Sequence, residues 1–250
     1  LTKLSSRSGK LLSTKIIFAT NMEIYSSLHI GDFHTNFCED FLIQEPLSGK
    51  HHLIAVMDGC SMGKESTFAS MLIGKLLRKI AKSHYYQDFS TPENQHSATL
   101  LKQTMKSLFE ELVIEKNRLL LDRDELLSTL ILGVVNHQTG QTALIIIGDG
   151  LVAYDGKIIE FEQDNIPDYL GYHLSEDFDT WYEVHDQKIA IDTFSDLSIA
   201  TDGIFTFQSD IKSAPTLSYQ EVIEWLLVNR EFHTNHNMLE RKVRWLREQK

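Results

Sequence analysis

The sequence predicts an α+β fold in which antiparallel sheets are covered by helices. Two observations predict it. Short apolar stretches with strand-like patterning lie early and late in the chain, and between them two successive segments repeat apolar residues at three- and four-residue steps. The order is therefore strands, two helices, strands, helices. A doubly wound parallel sheet would instead alternate strand and helix.

Each element rests on its own pattern. Residues 1–21 are polar and fit neither period, and residues 22–30 read as a strand closed by Gly31-Asp32. Residues 41–43 form a short apolar strand, 46–50 supply turn residues, and 52–57 (HLIAVM) read as a buried strand ending at Asp58-Gly59. Over 66–82, Phe68, Met71, Leu72, Leu76 and Ile80 share one helical face. Residues 84–92 read as a loop. Leu101, Met105, Leu108 and Leu112 mark a second amphipathic helix over 94–121. The period then returns to two, with strands at 130–136 and 142–147 separated by a turn at 137–140. Gly148-Asp149-Gly150 is a turn, and 151–154 with 157–161 make a hairpin tipped by Asp155-Gly156. Residues 184–191 and 197–200 add strands. The segment 219–250 reads as helical, anchored by Val222, Trp225, Leu226, Leu239, Val243 and Leu246, with 240–247 as a solvated basic face.

Gly (13) and Pro (4) are too few for long linkers, so residues 1–250 read as a single domain. With 42% hydrophobic and 24% charged residues, the chain has material for a core and is not of the disordered class. The balance of 24 Lys+Arg against 35 Asp+Glu gives a net charge of -11. That disfavours nucleic acid as a partner and suits divalent cations. Two cysteines, Cys38 and Cys60, leave no disulfide framework and suggest a reducing compartment. The N-terminal stretch lacks the apolar region of a signal peptide, and no apolar run approaches the roughly 20 residues of a membrane span. The expectation is a cytoplasmic protein without membrane attachment.

Three acidic positions share one local design. Glu39-Asp40 precedes one strand, and Asp58-Gly59 and Asp202-Gly203 each follow one. An Asp-Gly after a strand is by itself an ordinary turn. Three such sites in one chain make an oxygen-ligated Mg²⁺ or Mn²⁺ site at a sheet rim an equal alternative.

In order along the chain stand FCEDFLI, IAVMDG followed by a helix containing FAS, LLSTLILGVV, ALIIIGDGLVAY and LSIATDGIF. Together, from about Asn36 to Phe207, these pieces resemble the metal-dependent Ser/Thr protein phosphatases of the PPM (type-2C) family. The resemblance implies an antiparallel β-sandwich flanked by helical layers. It also implies two Mg²⁺ or Mn²⁺ ions, with Asp58 bridging them, the Gly59 carbonyl on one, Asp202 on the other, and Glu39 and Asp40 acting directly or through water. Metal-activated water would attack phosphorus in line, and a phosphoprotein would be the substrate. Ser128-Thr129 and Gly148-Asp149 match structural elements of the family.

Departures from the pattern carry expectations of their own. Cys60 stands where the family has its general-acid His, so the catalytic acid is unassigned; loss of such an acid costs about 10²–10⁴ in rate. Lys64 follows Ser61-Met62-Gly63 and is the candidate phosphate ligand, a solvated lysine ahead of a helix being the alternative. No Arg occurs at 33–37, where His34 is the only basic residue. No Asp-Asp or Asp-Asn pair follows Asp202: Asp210 comes too early, and Asn235-His236-Asn237 precedes a helix. A final Asp-bearing strand is thus expected to be missing. Three readings stand: a metal-dependent protein phosphatase, a weak or inactive phosphatase-like binding module, and a small-molecule phosphoesterase.

Overall fold

The computed structural model describes residues 11–18, 22–30, 37–90, 95–163, 167–206 and 217–248. The strands are β1 (Leu11–Phe18), β2 (Met22–His29), β3 (Asp40–Pro46), β4 (His51–Asp58), β5 (Leu130–Asn136), β6 (Thr142–Ile147), β7 (Gly150–Tyr154), β8 (Lys157–Phe161), β9 (Lys188–Ile191) and β10 (Asp196–Ala200). They build two five-stranded antiparallel sheets, ordered β2-β1-β10-β7-β8 and β3-β4-β5-β6-β9. This is the antiparallel sandwich expected from the sequence.

The second sheet is apolar on both faces because both are covered. Alternation along β4 sends Ile54 and Val56 into the core between the sheets, where they meet Ile16, Leu197 and Ile199. Leu53, Ala55 and Met57 point the other way, into a core shared with helices α1 (Ser66–Ser90) and α2 (Ser97–Leu119). Gly74 lets α1 approach: a Cβ there would lie 2.3 Å from the Phe41 ring. The first sheet is covered by a C-terminal layer: α5 (Tyr219–Ile223), a π-helical turn (Glu224–Val228) and α6 (Met238–Glu248).

Several elements depart from the sequence reading. Residues 1–21, left unassigned, contain β1, whose Ser13, Thr14 and Lys15 are fully buried and mask its strand pattern. The loop expected at 84–92 is helical as far as Ser90, the end of α1. The strand expected at 184–191 shrinks to β9. Ahead of it, α3 (Leu170–His173) and α4 (Phe178–Val184) are helical, with the Asp177 carboxylate capping α4 by accepting from the Thr180 N–H at 2.9 Å. The continuous C-terminal helix is broken after Val228, where Asn229 is extended and Phe232 takes φ 64°. Within the supposedly solvated basic run, Lys242 is fully buried.

Two buried ammonium groups explain the break. Lys15 donates to the carbonyls of Leu227 and, at 3.3 Å, Val228; Lys242 donates to those of Asn229 and, at 3.3 Å, Leu226. Helix ends leave their last carbonyls without partners, and cations suit that negative end. Burial lowers Lys15 to about 8, against the pull of Asp196, and Lys242 to about 7, with Lys15 adding repulsion. His34 and Asp210 lie outside the described residues. Among the described residues no helix is long and apolar enough to cross a membrane.

Candidate active site

The acidic strand ends gather at one end of the sandwich. In the β3–β4 ladder Asp40 lies directly opposite Asp58. Leu42 and Val56, two residues inward on the same strands, belong to the core between the sheets. Alternation therefore turns both carboxylates toward that inter-sheet space. Directly opposed residues bring their Cβ atoms to about 4.5–5.5 Å, where like charges destabilise the sheet.

Asp202 belongs to the same rim, as the close approach of Gly150 shows. A Cβ at Gly150 would stand 2.8 Å from both the Ala200 carbonyl oxygen and the Ile131 side chain. Ile131 pairs with Val56, two residues before Asp58; Ala200 comes two residues before Asp202, which opens a single 3-10 turn (Asp202–Thr206).

The Asp58 loop is closely held. Thr129 N–H donates to the Asp58 carbonyl at 2.9 Å, and Asp58 N–H donates to the Thr129 hydroxyl at 3.2 Å. Gly59 N–H donates to the Glu39 carbonyl at 3.1 Å. Only glycine fits at position 59, because a Cβ would meet the Ser66 carbonyl oxygen at 1.6 Å. The buried Glu39 carboxylate accepts from the Ser61 hydroxyl at 2.8 Å. A Cβ on Gly148, at φ 88°, would lie 2.7 Å from the Thr129 methyl.

Cys60 N–H donates to the Leu127 carbonyl at 3.0 Å, and Cys60, Leu127 and Tyr169 form a small buried cluster. Burial, the neighbouring Cys60 side chain and the nearby Asp149 charge push the Tyr169 hydroxyl far above the ordinary phenol range. Lys64 is exposed and paired with Asp122. That pairing raises the lysine and lowers the carboxylate.

Sequence reasoning did not find the contribution of the 168–173 segment. Tyr169 N–H donates to Asp168 Oδ1 at 2.9 Å, and the same carboxylate meets His173 Nε2 at 2.8 Å. The bond to Asp168 raises the His173 pKa, with Glu176 adding to it against the effect of burial. The three- and four-residue spacing of Tyr169, Tyr172 and His173 was the available signal for a short helix, but nothing in it announces Cys60 as a partner.

The structure thus brings Asp40 and Asp58 face to face, flanks them with Glu39 and Gly59, and sets Asp202 on the same rim. Among the described residues no three His, Cys, Asp or Glu side chains cluster closely enough to hold a metal ion. The donor set nevertheless fits a hard divalent cation: every candidate ligand is an oxygen, and a cation would relieve the opposed carboxylate pair.

An antiparallel sandwich between helical layers is the fold of the type-2C phosphatases. The family model for protein phosphatase 2C matches residues 33–246, and the chain belongs to that family. Among solved structures it is similar to the serine/threonine phosphatase Stp1 from Staphylococcus aureus (TM-score 0.54, 12% identity, covering 100% of this chain and 94% of that one). It is also similar to the PP2C phosphatase domain of SpoIIE from Bacillus subtilis, determined with a fragment of its regulatory domain (TM-score 0.52, 15% identity, covering 98% of this chain and 60% of that one). A third is the serine/threonine phosphatase of S. agalactiae (TM-score 0.51, 13% identity, covering 88% and 91%). At these identities the likeness is one of fold. No curated protein sequence matches the chain.

Proposed function

We propose that this protein is a Mg²⁺- or Mn²⁺-dependent phosphatase acting on phosphoserine or phosphothreonine in proteins. The observation that carries the reading is the Asp40–Asp58 pair, opposed across two strands and turned into the inter-sheet space at the rim that Asp202 shares. Asp58, Asp40 and Asp202, with Glu39 and the Gly59 carbonyl, would hold two ions. Bound there, such ions supply an acidified water as nucleophile and offset charge developing on the phosphoryl oxygens. The protein's own part is to fix the backbone that carries the carboxylates, and the Gly59–Glu39 and Asp58–Thr129 bonds support that role. Lys64, at the mouth of the same loop, would present a point charge to phosphate once released from Asp122.

A second reading has its own support. Cys60 occupies the family's general-acid position and is packed in a buried cluster with Leu127 and Tyr169, while Lys64 is engaged by Asp122. Both features suit a slow or inactive phosphatase-like binding module. The deciding experiment is Mn²⁺-dependent hydrolysis of p-nitrophenyl phosphate and of a phosphoserine peptide, with Asp58→Asn alongside. Metal-dependent turnover of both substrates, abolished in the variant, is the result expected. No turnover with either metal across pH would leave the binding module in front, and turnover of the small ester alone would point to a small-molecule phosphoesterase.

A further inference from the structure

The pairing of β3 with β4 continues past the Asp40–Asp58 pair. Gly59 N–H donates to the Glu39 carbonyl at 3.1 Å, one step further along the same register. On its other side the same stretch stays in step with the residues ahead of β5. Gly59 is bridged to Ser128, and Cys60 N–H donates to the Leu127 carbonyl at 3.0 Å. The chain is therefore extended as far as Cys60, and one further step of the β3–β4 register sets Cys38 opposite Cys60. Glu39–Gly59 is the hydrogen-bonded position, so Cys38–Cys60 falls at the next non-hydrogen-bonded one, where facing Cα atoms lie about 4.5 Å apart. Disulfides span Cα separations of about 4.4–6.8 Å. Alternation puts both side chains on the face that carries Asp40 and Asp58, and Cys38 Sγ accordingly lies 3.9 Å from Asp40 Oδ2. Both cysteines are thiols. Cys38 is partly exposed, whereas Cys60 is 8% exposed and packed with Leu127 and Tyr169.

We propose that Cys38 and Cys60 are a redox-sensitive dithiol that closes to a disulfide across the rim of the acidic site, with a peroxide as oxidant. The thiolate of Cys38, the more accessible, attacks a peroxide oxygen and the O–O bond breaks. A sulfenic acid forms, and the departing hydroxide takes up the thiol proton as water. The Cys60 thiolate then attacks the Cys38 sulfur and displaces its hydroxyl, which leaves as a second water with the Cys60 proton. The two thiols together give up two electrons, and the peroxide accepts both. In a reducing compartment such a bond is transient, because thiol reductants reopen it. To reach Cys38, the Cys60 sulfur must leave its cluster with Leu127 and Tyr169, and it draws with it the backbone that carries Asp58 and the Gly59 carbonyl. The effect on ion binding rests on the phosphatase reading above; the disulfide itself does not.

The test treats the full chain with hydrogen peroxide, blocks remaining thiols with iodoacetamide in denaturant, and digests with trypsin without reductant. Cleavage after Lys50 separates the two cysteines, so a disulfide appears in mass spectra as one linked peptide pair. The expected result is that pair, formed within one molecule, with both thiols lost to alkylation and both regained on treatment with dithiothreitol. Calorimetry with Mn²⁺ reads the consequence. The oxidised protein should bind Mn²⁺ about 10-fold more weakly, the size of effect seen when the surroundings of metal ligands are disturbed, and dithiothreitol should restore the affinity. Cys38→Ser should form no linked pair and keep its Mn²⁺ affinity through the same treatment. Products limited to sulfinic or sulfonic acids, or to disulfides between two molecules, would overturn the proposal. A linked pair with unchanged Mn²⁺ affinity would overturn its effect on the site. If the reduced protein binds no Mn²⁺, the phosphatase reading falls, while the linked peptides still decide the disulfide.

Discussion

The two helical layers of this molecule are fastened to their sheets in different ways. On the second sheet, α1 and α2 bury a continuous apolar face: Ile73, Leu77, Leu101, Met105 and Leu108 interlock with Leu53, Leu132 and Val134. On the first sheet, the C-terminal layer has its own apolar contact, through Val222, Leu226 and Val243 against Leu151 and Ala153, but its broken helix end is also tied down by Lys15 and Lys242. The Ser198 hydroxyl adds a bond to the Leu227 carbonyl at 3.0 Å, and Asp196, beside Lys15 at 3.6 Å, is bridged to Arg230. The first attachment is non-directional and spread over many side chains. The second depends on a few polar groups meeting in register, because a buried carbonyl without a donor is costly.

The comparison can be broken or sharpened by substitution. Leu77→Ala, at a fully buried position facing the second sheet, should cost about 2–5 kcal/mol in denaturant unfolding. Lys15→Met keeps the apolar stem and removes the donor to Leu227 and Val228, and should cost about 1–3 kcal/mol. A Lys15→Met protein as stable as wild type would mean that apolar area holds both layers alike.

The third prediction concerns pH. In the folded state Lys242 and Lys15 sit at about 7 and about 8, against an ordinary 10.5. Between those values the unfolded chain binds the extra protons, so the contribution of these sites to stability rises with pH from about 7 to 10.5 and is flat below. Lys242→Met should flatten that rise in urea titrations collected across the window, whereas Leu77→Ala should shift the curve without changing its slope. The smallest effect is expected at Ile114, on the exposed face of α2: Ile114→Ser should change stability by no more than about 0.5 kcal/mol.

The same contrast explains what the sequence revealed. The apolar stripe from Phe68 to Ile80 announces its helix because the pattern follows a helical period, and the unbroken apolar runs at 130–136 and 142–147 announce strands buried on both faces. β1 stayed hidden because Ser13, Thr14 and Lys15 look solvated until the C-terminal layer is seen to cover them. The 240–247 run misled for the same reason: Lys242 finds its partners, Leu226 and Asn229, 16 and 13 residues away, and only after the helix breaks. At the site, the strand-end carboxylates were legible from the Asp-Gly turns and Glu-Asp pair, since local geometry places them. The packing of Tyr169 with Cys60 was not, because it joins residues far apart in the chain whose meeting depends on the close seating of Gly171.

Asp40 and Asp58, opposed across β3 and β4, are proposed to form a cation site whose charges repel each other when no cation is bound. Thermal melting of wild type and Asp58→Asn, each with EDTA and with Mn²⁺, tests it most directly. Without metal the variant should be the more stable by up to about 1 kcal/mol, because a like-charge cross-strand pair has been removed. Mn²⁺ should raise the melting temperature of wild type in a concentration-dependent way and leave the variant unmoved. A wild-type protein indifferent to Mn²⁺, or a variant stabilised by it to the same extent, would contradict the account.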